Sequence, residues 1–139
     1  MFDGRVLVVG DYPFPLKSIQ LETYKVTPNQ RLDRDSYEDA NGDLQRTALN
    51  KTRTKIEFET HTMHYAEKRE LMANLREQFN KSQLELNERK VQVTYFNDET
   101  DEYDTAYFYI PDITWTYYNV DEVNKDIIYL PTRIAFIEY

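Results

Sequence analysis

The chain contains no cysteine among its 139 residues, so disulfide bridges and thiolate chemistry are excluded. It has only three glycines, which are too few and too scattered to build a phosphate-binding loop or a dinucleotide fingerprint. The longest apolar run near the N-terminus, residues 6–9, is far too short to span a bilayer, and no basic secretory start precedes it. We therefore expect a soluble single domain, 1–139, made in the cytoplasm and without a membrane partner.

Residues that could carry chemistry are also scarce. The three serines stand outside any nucleophile elbow, which argues against nucleophilic catalysis. His61 and His64 lie three apart, but two imidazoles do not complete a zinc site. The acidic run 97–104 lacks the glycine that a calcium loop needs at its sharp turn. We expect no enzyme activity, no catalytic or metal-binding residues and no cofactor.

Negative charge is concentrated in the last third of the chain. The net charge is −8, and residues 97–139 carry all of this excess together with seven of the 12 tyrosines. An acidic surface repels phosphate backbones, so specific nucleic-acid binding is disfavoured. Solubility is the ordinary explanation for such a surface. The alternative is a functional acidic surface, which faces a molecule that must not bind to it.

The most informative segment is 51–79, where a strand pattern changes directly into a helix pattern. Residues 51–62 alternate strictly between two sides, which is typical of a strand with one covered face. Leu71, Leu75 and Phe79 then recur every four residues. This spacing predicts an amphipathic helix over about 63–82, with Thr62 as its N-cap. One side of the strand holds Thr52, Thr54, Ile56, Phe58, Thr60 and Thr62.

Residues 30–50 form a long charged segment with little apolar content. They contain the turn signal Asn41-Gly42-Asp43, so the segment is either an exposed loop or a protruding hairpin. A structureless loop of this length is uncommon inside a compact domain. We favour an arm that becomes ordered on a neighbouring subunit. Arginine and tyrosine are enriched at interface hot spots, and the arm residues expected to form the interface are Arg31, Arg34, Tyr37 and Arg46.

The remaining sequence predicts short strands. Pro28-Asn29 is expected to end one of them, and the acidic run 97–104 to form a hairpin turn. Seven or eight strands with one helix suit a mainly β (α+β) fold, an antiparallel β-sandwich or partly closed barrel with the helix over one opening. The other strand candidates are 5–9, 19–26, 89–96, 105–110, 113–118, 127–130 and 132–139.

Aromatic residues crowd the C-terminal strands, and most are expected to form sheet core and cross-strand pairs. Such strips beside carboxylates can also stack on sugars or contact a protein partner. The candidates for an aromatic contact surface are Tyr107, Tyr109, Trp115 and Tyr117.

Taken in order, five segments resemble the small proteins found in the tail gene modules of siphophages and of prophages in Gram-positive bacteria. The resemblance runs from about residue 19 to the C-terminus. The segments are 41–46, the charged alternating strand 51–58, the helix with Leu71 and Leu75, the hairpin 93–98 with its return 105–109, and the terminal 134–138.

This resemblance implies a tail-tube or distal-tail building block, a β-sandwich with a flanking helix and a long loop that assembles into rings. It implies a virion structural protein of the tail tube, distal tail or baseplate, with copies of itself and other tail proteins as partners. Its location would be the virion tail, after synthesis in the bacterial host cytoplasm. The surplus acid would then line a channel through which DNA slides without binding. The family supplies no catalytic residues.

Two other functions stay open from the sequence. The first is a carbohydrate-binding module of a receptor-binding apparatus, which the C-terminal aromatics would serve. The second is an acidic DNA mimic that occupies a nucleic-acid-binding host protein.

Overall fold

The computed structural model describes residues 1–38, 44–81 and 89–139, and for 31–38 and 44–51 it gives the backbone alone. The helix in this part is α1 Tyr65–Lys81. No helix among the described residues is both long enough and apolar enough to cross a membrane. The strands are β1 Leu7–Val9, β2 Tyr12–Pro13, β3 Lys25–Glu38, β4 Leu44–Glu59, β5 Met63–His64, β6 Lys90–Asn97, β7 Glu102–Tyr109, β8 Tyr117–Asp121, β9 Asp126–Tyr129 and β10 Arg133–Glu138.

The strands form two antiparallel sheets. The larger has the order β2-β1-β6-β7-β10-β4-β3, and the smaller has the order β5-β9-β8. The large sheet stays open, and α1 with the small sheet covers one of its faces, so the mainly β, sandwich-like fold with one helix is confirmed. The strand number exceeds the expected seven or eight because β2 and β5, each only two residues long, were not predicted.

The predicted alternation is confirmed by burial up to Thr60, whereas Thr62, expected on the same side, is exposed. Thr54, Ile56, Phe58 and Thr60 are each at most 1% exposed. Thr54 is accommodated in this apolar row because its hydroxyl is fully hydrogen-bonded. Its Oγ1 accepts from the backbone N–H of Asn29 at 3.0 Å and shares a second hydrogen bond with the Tyr95 hydroxyl at 2.9 Å.

The helix is also confirmed, and it buries Leu71, Leu75 and Phe79 as its spacing predicts. Its start differs from the prediction, because β5 separates Thr62 from the first helical residue. The Tyr65 N–H, which an N-cap would satisfy, instead donates to the Asp126 carboxylate at 3.2 Å. Thr62 as the N-cap is therefore wrong.

The predicted strand 19–26 is wrong over most of its length. Ile19 forms a single bridge with Thr60, and Leu21–Thr23 then closes a 3-10 turn. The predicted end at 28–29 is wrong as well, since β3 continues to Glu38. Asn29 adopts a φ of 50°, and the register shifts there, so the proline and asparagine make a bulge instead of a stop.

The predicted strand 113–118 begins only at Tyr117. Before it, Trp115 turns away from a regular strand and packs edge-on against Tyr129, with ring centroids 5.6 Å apart. The Thr116 carbonyl accepts from the Leu130 N–H at 2.9 Å. Tertiary packing of the tryptophan thus overrides the local alternation.

Aromatic rings converge at the centre of the core. The Phe58 ring lies 5.1 Å from Phe14, 5.9 Å from Tyr24 and 6.3 Å from Phe136. Phe14 follows β2 and Tyr24 precedes β3, so these rings come from opposite ends of the strand order. The contacts therefore curl the sheet and bring its two edges toward each other without joining them.

The β1–β2 turn depends on Gly10. It has a φ of 60°, and a Cβ there would lie 2.4 Å from Oε1 of Gln78, which accepts from the Asp11 N–H. We expect Gly10→Ala to lower the free energy of unfolding by about 1–3 kcal/mol, measured by chemical denaturation. Gly4→Ala is the control, because Gly4 also has a positive φ but no atom lies within 4 Å of its Cβ position. Equal losses in the two variants would contradict a role for the Gln78 contact.

Candidate assembly surface

The segment predicted as a long arm forms a two-stranded ribbon. β3 and β4 pair from Lys25 opposite Glu57 to Glu38 opposite Leu44. β10 pairs with β4 only at residues 55–59, so the outer part of the hairpin extends beyond the sheet. Residues 44–54 of β4, at about 3.3 Å each, give this extension a length of about 35 Å. Of the two sequence alternatives, the structure has the hairpin; its turn at 39–43 lies outside the described residues.

The ribbon has long backbone edges that no neighbouring strand covers in the described part of the chain. β3 is the last strand of the large sheet, so within the described residues its outer N–H and C=O groups have no neighbouring strand. β4 likewise lacks a second neighbour over 44–54 in that part of the chain, apart from the Thr54 N–H, which donates to Glu138. Long free edges are templates for pairing with another chain. Register shifts at three places along the ribbon bend this edge.

The four predicted interface residues all lie on the ribbon. Arg31 and Arg34 pair through their backbones with Thr52 and Thr47, and Tyr37 pairs with Gln45. Arg46 lies on β4. Their side chains lie outside the described part of the chain. The backbone thus brings the four positions onto one projecting element.

Tyr107 and Tyr109 lie on the outer face of the large sheet, opposite in direction to the buried Phe108 between them. The Lys90 ammonium lies 5.4 Å from the centre of the Tyr107 ring and 4.2 Å from that of Tyr139. Tyr109 contacts Tyr139 edge-on at 5.4 Å. The group is a small aromatic patch with one cation over it.

Trp115 and Tyr117 belong to a second group beside the helix. Both contact the buried Tyr129, at 5.6 and 5.3 Å between ring centroids. The Lys68 ammonium lies within 6 Å of the ring centres of Trp115, Tyr129 and Tyr65. The four predicted aromatic residues are therefore divided between two groups, and in each group a lysine ammonium lies over one of them.

The acidic residues of the last third gather at two hairpin turns. The β6–β7 turn contains Asp98, Glu99 and Asp101, all exposed, and the β8–β9 turn contains Asp121 and Glu122. No group of three histidine, aspartate or glutamate side chains able to hold a metal ion is present in the described ranges. β8 between these turns exposes four of its five residues.

His64 and Asp126 form an exposed ion pair at the start of α1. Nδ1 of His64 lies 2.7 Å from Oδ2 of Asp126, while Oδ1 accepts from the Tyr65 N–H. The hydrogen bond and charge of Asp126 raise the pKa of His64, and the His64 hydrogen bond lowers the pKa of Asp126. Asp126 lies about sixty residues from the helix it caps, so no local sequence signal identifies it.

Among the residues that the structure describes, one buried side-chain hydroxyl has no hydrogen-bond partner. The Tyr24 hydroxyl is buried without a hydrogen bond among the described residues, and desolvation raises its pKa above the ordinary value. Tyr24 borders a cavity of about 330 Å³ together with Phe2, Val6, Phe96 and Asp98. The cavity lies where the curled edges of the large sheet approach each other.

Comparison with known proteins gives a match to a protein family. A family model described as a family of unknown function, DUF6711, matches residues 1–139. No curated protein and no solved structure matches the chain.

The His64–Asp126 pair predicts a pH dependence. A raised His64 pKa stabilises the folded chain below about pH 6.5, and this contribution is lost as the pH rises through the folded pKa. The lowered Asp126 pKa contributes above about pH 4 and is lost as the pH falls through its folded value. We expect Asp126→Asn to return the His64 pKa toward 6.5 in an NMR titration. The wild type should exceed this variant in stability at pH 6 by more than at pH 9. An unchanged His64 titration would refute the coupling.

Proposed function

Because the chain belongs to the DUF6711 family, whose function is unknown, we propose its role from its own geometry: a structural component of a phage or prophage tail. In this proposal copies of the chain associate into a ring, or dock onto one, within the tail tube, distal tail or baseplate. Its partners are other copies of itself and neighbouring tail proteins.

The projecting ribbon carries this proposal. A two-stranded hairpin on its own is at best marginally stable in water, so contacts with a neighbour would stabilise it. Its free edges and its arginine and tyrosine positions supply backbone and side-chain contacts for a neighbouring copy. A contact between two different surfaces of identical chains repeats, and the repetition closes into a ring when the rotation permits.

The charge distribution supports a tail location. The net charge of −8 arises entirely after residue 96, where the exposed β6–β7 turn places several carboxylates together. In a ring, such a surface facing the channel repels the phosphate backbone and lets DNA pass without adhering. The proposal places the protein in the virion tail after synthesis in the host cytoplasm.

Carbohydrate binding is the second candidate. It is favoured by the exposure of Tyr107 and Tyr117, which are 47% and 57% exposed. Exposed tyrosine rings offer apolar faces on which a sugar can stack. Binding on a glycan array that Tyr107→Ala or Tyr117→Ala abolishes would support this role, and no binding to any glycan would dismiss it.

The experiment that tests the assembly role is mass measurement in solution with negative-stain imaging at rising protein concentration. We expect the wild type to form rings or stacked tubes. We expect the double variant Arg31→Glu/Arg46→Glu to need at least tenfold more protein to assemble. It replaces two cations at the expected interface with anions, in a chain whose net charge is already −8. Lys17→Glu/Lys125→Glu is the control, since it changes the net charge equally at exposed sites away from the ribbon.

The wild type and the two variants together distinguish the outcomes. A wild type that stays monomeric at every concentration would overturn the proposal. Equal loss of assembly in both variants would attribute the effect to net charge and not to the ribbon. Circular dichroism and unfolding curves should be the same for all three proteins.

A further inference from the structure

A groove of about 340 Å³ runs along one side of α1. Its lining combines cationic, aromatic and flexible apolar side chains: Tyr65, Lys68, Arg69, Met72, Arg76 and Trp115. Arg69 and Arg76 are seven residues apart, two turns of helix, so both project from the same side. The buried face of α1, with Leu71 and Leu75, is adjacent to this side and remains in the core.

Two of the three cations in the groove are available. The Lys68 ammonium is held over the rings of Tyr65, Trp115 and Tyr129. Arg69 and Arg76 are exposed, and neither has an ion pair or hydrogen bond among the described residues. A guanidinium beside aromatic rings is well suited to bind a carboxylate bidentately. In a chain of net charge −8, this groove is a local site of positive charge.

The complementary surface is the β6–β7 turn, here called the acidic turn and defined as residues 98–102. Asp98, Glu99, Asp101 and Glu102 are all exposed there. The carboxylates of Asp98, Asp101 and Glu102 form no ion pair within the part of the chain that the structure describes. Asp121 and Asp126, by contrast, already accept hydrogen bonds from their own hairpin and from the start of α1.

Hydrogen bonds to Asn97 hold the acidic turn in one conformation. Asn97 is fully buried, its Oδ1 accepts from the Glu99 N–H at 2.9 Å, and its Nδ2 donates to Asp104 at 2.7 Å. The Asp101 N–H donates to the Asn97 carbonyl at 2.9 Å. Carboxylates on a turn held in this way lose little conformational freedom on binding.

One copy cannot easily bring these two surfaces together. The acidic turn lies at one end of the β6–β7 hairpin, and the chain leaves the other end toward Trp115 in the groove. Eight residues per strand make that hairpin about 25 Å long. The end of α1 also packs at that far end, where Gln78 contacts the turn after Gly10, itself bonded to Gln92.

We propose that the acidic turn of one copy docks into the arginine groove of the next copy, with its carboxylates paired to Arg69 and Arg76. The contact joins two different surfaces, so it propagates head to tail and produces a ring or an open filament. This inference rests on the proposed self-assembly and identifies a contact for it outside the ribbon.

A charge exchange between variants tests this contact. Arg69→Glu/Arg76→Glu places acid against acid, and Asp98→Lys/Glu102→Lys places base against base, so each variant alone should need at least tenfold more protein to assemble. An equimolar mixture should assemble as the wild type does. In the mixture, each native turn meets a native groove and each reversed turn meets a reversed groove. The measurement is mass in solution with negative-stain imaging, as a function of concentration.

Matched controls separate this contact from general charge effects. Lys17→Glu/Lys125→Glu and Glu22→Lys/Glu122→Lys change the net charge by the same amounts at exposed positions elsewhere, and should assemble normally. Assembly of the wild type should weaken in 1 M salt, where screening acts over about 3 Å.

Three outcomes are decisive. Normal assembly of both groove and turn variants would overturn the docking while leaving self-assembly intact. Loss of assembly that the mixture does not restore would also overturn the pairing of these two surfaces. A wild type that never assembles would overturn both the docking and the function on which it rests.

Discussion

The contacts of the Phe58 ring hold the large sheet in its curled form. Phe14 comes from the segment after one edge strand, Tyr24 from the segment before the other, and Phe136 from the strand paired with β4. A seven-stranded sheet without such a contact would have two distant edges and a core open at both ends. With it, the sheet encloses an apolar interior that α1 and the small sheet can cover. The helix, the ribbon and the acidic turn are all attached to this curved but open sheet.

The same arrangement determines which surfaces are left for partners. The side chains of Thr54, Ile56 and Phe58 on β4 lie in the core. The strand continues outward past them, and among the described residues this outer part pairs with β3 alone. The inner stripe of α1 is buried, and its neighbouring side keeps Arg69 and Arg76 exposed. The strand thus contributes its inner part to the core and extends beyond it, and the helix buries one side and exposes another. Assembly through these surfaces would leave the core unchanged.

Elements whose pattern is complete within a few residues could be predicted from the sequence. The β4 alternation and the four-residue spacing of α1 are local, and burial follows them directly. Features set by distant partners could not be predicted. Asp126 caps a helix that begins sixty residues earlier, and Trp115 leaves its strand to contact Tyr129. For residues 30–50, the turn signal was compatible with a hairpin, but the segment has too few apolar residues for an alternating pattern to exclude a loop. The seven-residue spacing of Arg69 and Arg76 can be read from the sequence, whereas the position of Trp115 in the same groove cannot.

The continuity of β4 has a mechanical consequence. A single strand runs from the outer ribbon at Leu44 to Glu59 beside the core, with β3 on one side and β10 on the other near its base. A neighbour attached to the ribbon could apply tension along the axis of β4. This tension would load the hydrogen bonds between β4 and its neighbours β3 and β10 in shear, and the bonds would share the load. Bonds that share a load in parallel resist rupture better than bonds opened one after another. A pull along the axis of β4 would therefore meet more resistance than a force that peels the ribbon away from one end.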